Sequence, residues 1–117
     1  MRQSRARRRQ QRIRMRIKAT KEPMHRLLRR YVKGVPPRLD TEFEALGVGS
    51  YGLRWRAAGL EHLAVLGIWH GRPALYHHVY EPPAYKETGC ERFDLSYGEL
   101  ERLGLLVPSP GEKAGGG

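Results

Sequence analysis

Residues 51–81 read YGLRWRAAGLEHLAVLGIWHGRPALYHHVYE, and the reading of this run decides the fold. Three pieces, YGLRWRA (51–57), EHLAVLGIW (61–69) and PALYHHVYE (73–81), carry the aromatic and β-branched residues of strands. Between the last two, HGRP supplies a tight turn with a glycine. With Gly71 and Arg72 as the central pair, Trp69 faces Ala74, Gly67 faces Tyr76, Val65 faces His78 and Leu63 faces Tyr80. Placing Ala57 opposite His62 adds the first strand. Leu53, Trp55, Leu66, Ile68, Leu75, His77 and Val79 then share one side, a candidate core. Arg54, Arg56, Trp69, Tyr76, His78 and Tyr80 share the other. A slip of one residue would exchange the two sides completely.

Upstream, RIRMRIK (12–18) alternates cation and apolar residue, which fits a half-buried strand but also the end of an arginine-rich tail. A helix should follow, with Thr20 as cap, Pro23 in its first turn, and Met24, Leu27, Leu28 and Tyr31 on one apolar face. Gly34 and Pro36 stop it. DTEFEALG (40–47) reads as a short helix capped by Asp40 or Thr41 and ended by Gly47. Downstream, Pro82 and Pro83 should end the sheet. Ser96 and Glu99 form a capping box, with Leu95 placed to staple against Leu100, so a short helix is expected over roughly 97–103. The expected fold is α+β: a small antiparallel sheet of three to four strands, a basic N-terminal helix, a short C-terminal helix and disordered termini. The expected domains are a disordered basic arm over 1–11, one small domain over 12–107, and a disordered tail over 108–117.

Charge is sharply divided. Residues 1–34 hold 14 basic residues and one acid, whereas residues 35–117 hold 8 basic residues and 11 acids. The whole excess of the +10 chain therefore sits in its first third, as in arms that meet a polyanion. Arginines make up 17 of the 22 cations, and a guanidinium grips phosphate and stacks on bases as an ammonium does not. A GC-rich genome would also raise arginine, but it would not cluster the charge. No apolar run approaches a membrane span, and the start lacks the apolar core of a secretory signal. An organellar transit peptide stays open. The single cysteine, Cys90, leaves no intramolecular disulfide to form and fits a reducing compartment such as the cytoplasm.

These features point to nucleic acid, RNA ahead of DNA, with the protein an accessory or structural component of a nucleoprotein assembly. Candidate phosphate contacts are Arg5, Arg7, Arg8, Arg9, Arg12, Arg14, Arg16, Lys18, Arg26, Arg29, Arg30 and Lys33. Arg54, Arg56, Trp69 and Tyr76 are candidates on the sheet, where bases stack on rings. The alternative for that face is ordinary core under the N-terminal helix, with its arginines snorkelling to the rim. An acidic protein, met by the arm of a phage-type interaction factor, and an anionic lipid surface are the other classes of partner. No metal and no cofactor is expected: His77 and His78 point to opposite faces, and no ligand spacing of a helix-borne site occurs. Gly47, Gly49 and Gly52 lack the strand–helix frame of a phosphate loop.

The stretch YGLRWRAAGLEHLAVLGIWHGRP (51–73) resembles the end of the RelE/ParE toxin superfamily, whose members pair an arginine-bearing strand with a hydrophobic strand ending in a WHGR-like sequence. The order strand, helix, short helix, strands is similar to theirs as well. The basic extension and the 44 residues after the turn depart from the pattern. The resemblance implies a compact toxin held by an antitoxin, which either cleaves mRNA on the ribosome or poisons gyrase. If the chain is an endoribonuclease, Arg54, Arg56, Arg72, His78 and Tyr80 are the candidates by chemistry.

Overall fold

The computed structural model describes residues 15–47 and 49–108. The expected arm over 1–11, and the expected tail beyond residue 108, lie outside the described residues. The core of the fold is an antiparallel meander of five strands in sequence order: β2 (Phe43–Gly47), β3 (Ser50–Ala57), β4 (Leu60–Trp69), β5 (Arg72–Glu81) and β6 (Lys86–Asp94). A second sheet pairs β1 (Met15–Ile17) with β7 (Leu106–Pro108), joining the two ends of the described chain. Helices are minor: α1 (Lys21–Tyr31) follows β1, and α2 (Tyr97–Arg102) precedes β7.

The α+β expectation of three to four strands is corrected by this architecture. Strands take 52 % of the described residues, with two short helices packed beside them. Besides the separate pairing of β1 with β7, two local differences enlarge the main sheet. The segment expected as a helix over 40–47 is the edge strand β2, which pairs along β3 and sets Phe43 edge-on to Tyr51 at 6.0 Å. Pairing to a neighbour outweighs a short helix with little to bury. The prolines at 82 and 83 also do not end the sheet. The chain turns there and returns as β6, against β5.

Two-residue turns set the meander. Ala58 and Gly59 join β3 to β4 at φ of 54° and 77°, and His70 and Gly71 join β4 to β5 at 54° and 76°. Both central residues are left-handed, as in the type I′ turns whose twist matches that of paired strands. The central pair is thus His70–Gly71, not Gly71–Arg72, and Trp69 lies opposite Arg72. Likewise Ala57 lies opposite Leu60, and Trp55 opposite His62. Each expected pairing differs from the observed one by two residues. Because side chains alternate with period two, such a displacement leaves every residue on its expected face.

One face is core. Leu53, Trp55, Ala64, Leu66 and Leu75 are buried against Met24, Leu27 and Leu28 of α1, together with Leu95, Leu100, Leu103 and Leu105 from the C-terminal segment. Ile17, 1 % exposed, plugs the end of this core from β1, so that part of RIRMRIK is strand; residues 12–14 lie outside the described residues. Thr20 sits at the start of α1, but its side chain makes no capping bond. At α2 the Ser96 hydroxyl does accept from the Glu99 amide at 3.0 Å. The Glu99 carboxylate does not close the box. Instead it accepts from the Tyr31 hydroxyl at 2.7 and 2.8 Å and from Arg30 at 2.8 Å, tying α2 to α1. Burial and that carboxylate raise the Tyr31 phenol above its usual range.

Two histidines lie inside this face. His62 and His77 stack at 5.2 Å, and Trp55 stacks on both at 5.1 and 5.7 Å. The Trp55 indole N–H donates to the Val35 carbonyl at 2.9 Å. His62 Nε2 must donate to the Ala57 carbonyl (3.2 Å), since a carbonyl only accepts. Its Nδ1 therefore accepts from His77 Nε2–H at 2.9 Å. Desolvation, then the neighbouring His62, lowers the His77 pKa below 6.5, while Glu91 opposes and His78 adds to the shift. A depressed folded pKa means that the unfolded chain binds more protons, so stability is full above pH 6.5 and falls as pH drops through the folded value. Urea midpoints should decline on acidification from about pH 7.5 to about 5, less so in His77→Gln. Equal declines in both proteins would show that another group carries the effect.

Candidate functional site

Among the described residues, no helix packs on the second face of the meander. Along β5 it presents Tyr76, His78 and Tyr80 at successive outward positions, their rings nearly parallel and 6.1 Å apart. Trp69, 37 % exposed, meets the edge of Tyr76 at 5.3 Å. It can lie there because Gly67, two residues back on the same face, has no side chain: a Cβ would come within 2.7 Å of the indole. Arg92 of β6 covers the Tyr76 ring at 5.8 Å, in cation–π range. The result is a row of four rings across two strands, half-buried by one another and otherwise open.

Electrostatics on this face are balanced. Arg54, Arg56, Arg72 and Arg92 are met on the same side by Glu44, Glu61, Glu87 and Asp94. Arg56 pairs with Glu61 at 3.3 Å and approaches the Tyr85 hydroxyl at 3.5 Å, and Arg92 pairs with Asp94 at 3.0 Å. His78 Nδ1 lies 2.8 Å from Glu87. The face is therefore aromatic with interspersed charge, and the basic excess lies elsewhere.

The expected contact residues fall into separate groups. Arg54, Arg56, Arg72, Trp69, Tyr76, His78 and Tyr80 gather on the open face. Arg26, Arg29 and Arg30 are exposed on α1, which packs on the opposite face of the sheet, and Lys33 is exposed just beyond it. Arg26 and Arg29 line an open groove of about 420 Å³ with Lys21, Glu22, His25 and Leu39. Glu22 holds Arg26 at 2.6 Å and Glu42 holds Lys21 at 3.6 Å. Lys18 is exposed after β1, and Arg16 is half-buried with its Nε enclosed. Arg5, Arg7, Arg8, Arg9, Arg12 and Arg14 lie outside the described residues.

No family model, curated protein or solved structure matches the chain. Its chemistry must be read from its own residues. The short helix in the element order that accompanied the RelE/ParE resemblance is instead the strand β2. No described helix is long and apolar enough to cross a membrane.

Sequence reasoning missed Glu87, Cys90 and Arg92, which β6 brings onto the open face. The run KETGCERFD has almost no apolar alternation, because an edge strand with little buried surface needs none. Its one signal is the lone apolar Phe93 among charged neighbours. That ring packs against Tyr31 at 5.2 Å and anchors the strand.

Proposed function

We propose that the protein binds single-stranded nucleic acid, RNA in preference to DNA, as a component of a nucleoprotein assembly. The row Trp69, Tyr76, His78 and Tyr80, on a sheet face that no described element covers, is the observation that carries this reading. Rings on an open sheet offer stacking platforms, each worth about 1–3 kcal/mol per base. The balanced charge around them supplies little phosphate affinity, so that part falls to the arginines of the first third, where Glu22 is the single acid among 14 basic residues. Stacking and charge neutralisation are thus assigned to different parts of the chain.

Tyr76→Ala in the full chain tests the reading. The ring is half-exposed, so the protein should melt close to the parent, while affinity for an unstructured oligouridine falls by about 1–3 kcal/mol at fixed salt. Unchanged affinity with a loss of stability of about 3–5 kcal/mol would make the row structural. RNA recovered in fragments after incubation would instead support an endoribonuclease of the kind that the RelE/ParE resemblance implies.

A further inference from the structure

The register of β5 against β6 changes between Val79 and Tyr80, and its effect is to gather three unlike donors. In a regular strand Glu87 and Cys90, three positions apart, would point to opposite faces. Here Val79 pairs with Gly89 but Tyr80 with Glu87, so Thr88 is the extra residue of a bulge. Its hydroxyl donates to the Val79 carbonyl at 3.4 Å. Past the bulge Glu87 turns onto the open face beside Cys90, which lies directly opposite His78. A nitrogen of His78, a carboxylate oxygen of Glu87 and the sulfur of Cys90 come within 4.8 Å of one another.

We propose that His78, Glu87 and Cys90 bind a zinc ion through Nδ1, a carboxylate oxygen and Sγ, with a fourth position left to water. Zinc bonds of about 2.0–2.3 Å in a tetrahedron place ligand atoms roughly 3.3–3.8 Å apart. The 2.8 Å contact between His78 and Glu87 must widen by about 0.5 Å, and the separations, at most 4.8 Å, must shrink by no more than about 1 Å, which side-chain torsions supply without moving a strand. The donor set selects the metal: imidazole, thiolate and carboxylate suit zinc, whereas calcium and magnesium take oxygen. A thiolate and a carboxylate also neutralise a divalent charge.

The imidazole is oriented beforehand, since Tyr76 and Tyr80 flank it at 6.1 Å on either side. Without a cation the arrangement is unfavourable for a thiolate: desolvation and the adjacent Glu87 carboxylate hold the Cys90 pKa above 9.0. Ligation by Cys90 releases the thiol proton, since the thiolate is the form that binds zinc. None of this depends on nucleic-acid binding.

The test uses the reduced full chain with no nucleic acid, titrated with zinc in competition with a chromogenic chelator. One-to-one binding is expected, weakened roughly tenfold or more in each of Cys90→Ser, His78→Ala and Glu87→Gln. Cobalt(II) as a surrogate should show a thiolate-to-metal charge-transfer band, absent in Cys90→Ser. Cys90 and Glu87 are exposed, so those two variants keep the fold, which thermal melts verify. Absence of saturable binding, equal affinity across the variants, or a cobalt spectrum without the thiolate band would each overturn the assignment.

Discussion

Replacing Arg5, Arg7, Arg8 and Arg9 with glutamine in the full chain is expected to weaken binding of an unstructured RNA by roughly 600-fold at about 0.1 M salt. Each phosphate contacted by a cation on a single strand contributes about −0.7 to the slope of log affinity against log salt, so four lost contacts flatten it by about 2.8. The expectation follows from where charge is not. The open sheet face sets four arginines against four carboxylates, and the α1 cations Arg26 and Arg30 already hold Glu22 and Glu99. Substitution is the right operation here, because a deletion through residue 18 would also remove Ile17, which is core and pairs with Leu106. Salt titrations by fluorescence anisotropy measure the slope. A slope equal to that of the parent would place the phosphate contacts on the folded surface.

The second large effect concerns stability. Trp55→Ala should cost about 3–5 kcal/mol, the range for removing a large buried aromatic. That is a substantial part of the roughly 5–15 kcal/mol that holds a domain of this size together. Trp55 is 7 % exposed, stacks on His62 and His77, and satisfies the Val35 carbonyl in the turn after α1. Trp55→Phe separates the contributions: it keeps a ring in the stack but leaves that carbonyl unpaired, for about 1–3 kcal/mol. Urea denaturation gives both values. The neighbouring Arg54, exposed on the other face, should tolerate alanine within about 0.5 kcal/mol. Similar losses at 54 and 55 would mean that the faces are wrongly assigned.

That contrast between adjacent residues is legible in the amino-acid sequence alone, and the reason is parity. A turn in HGRP placed one residue late displaces the pairing by two, and the alternation of side chains absorbs the error. Trp69, Tyr76, His78 and Tyr80 therefore come out together although none has its expected partner. What is illegible depends on partners distant in sequence. Phe43 and Ala45 form a strand because β3 is beside them, not because of their own pattern. The segment 86–94 is recruited by the edge of β5, and it brings Glu87 and Cys90 with it. Parity sets His77 and His78 on opposite faces and so excludes a metal held by those two together. It carries no information about a carboxylate and a thiol that arrive on a neighbouring strand, nor about a bulge that reverses the direction of one of them. Ser96 is readable as a cap because that bond is local. The destination of the Glu99 side chain is not, since Tyr31 lies on a separate helix.

The pairing of β1 with β7 has a consequence for how the molecule is made. The meander between them can form progressively, each strand folding back on the last through a short turn, with contacts close in sequence. β1 has no such neighbour. Met15–Ile17 leaves the ribosome early, yet its partner Leu106–Pro108 is among the last described segments to be synthesised. During translation Ile17 must therefore wait for a strand to receive it, while the cationic residues ahead of it are already outside. Residues 15–17 are thus made before the strands of the meander and paired only after them.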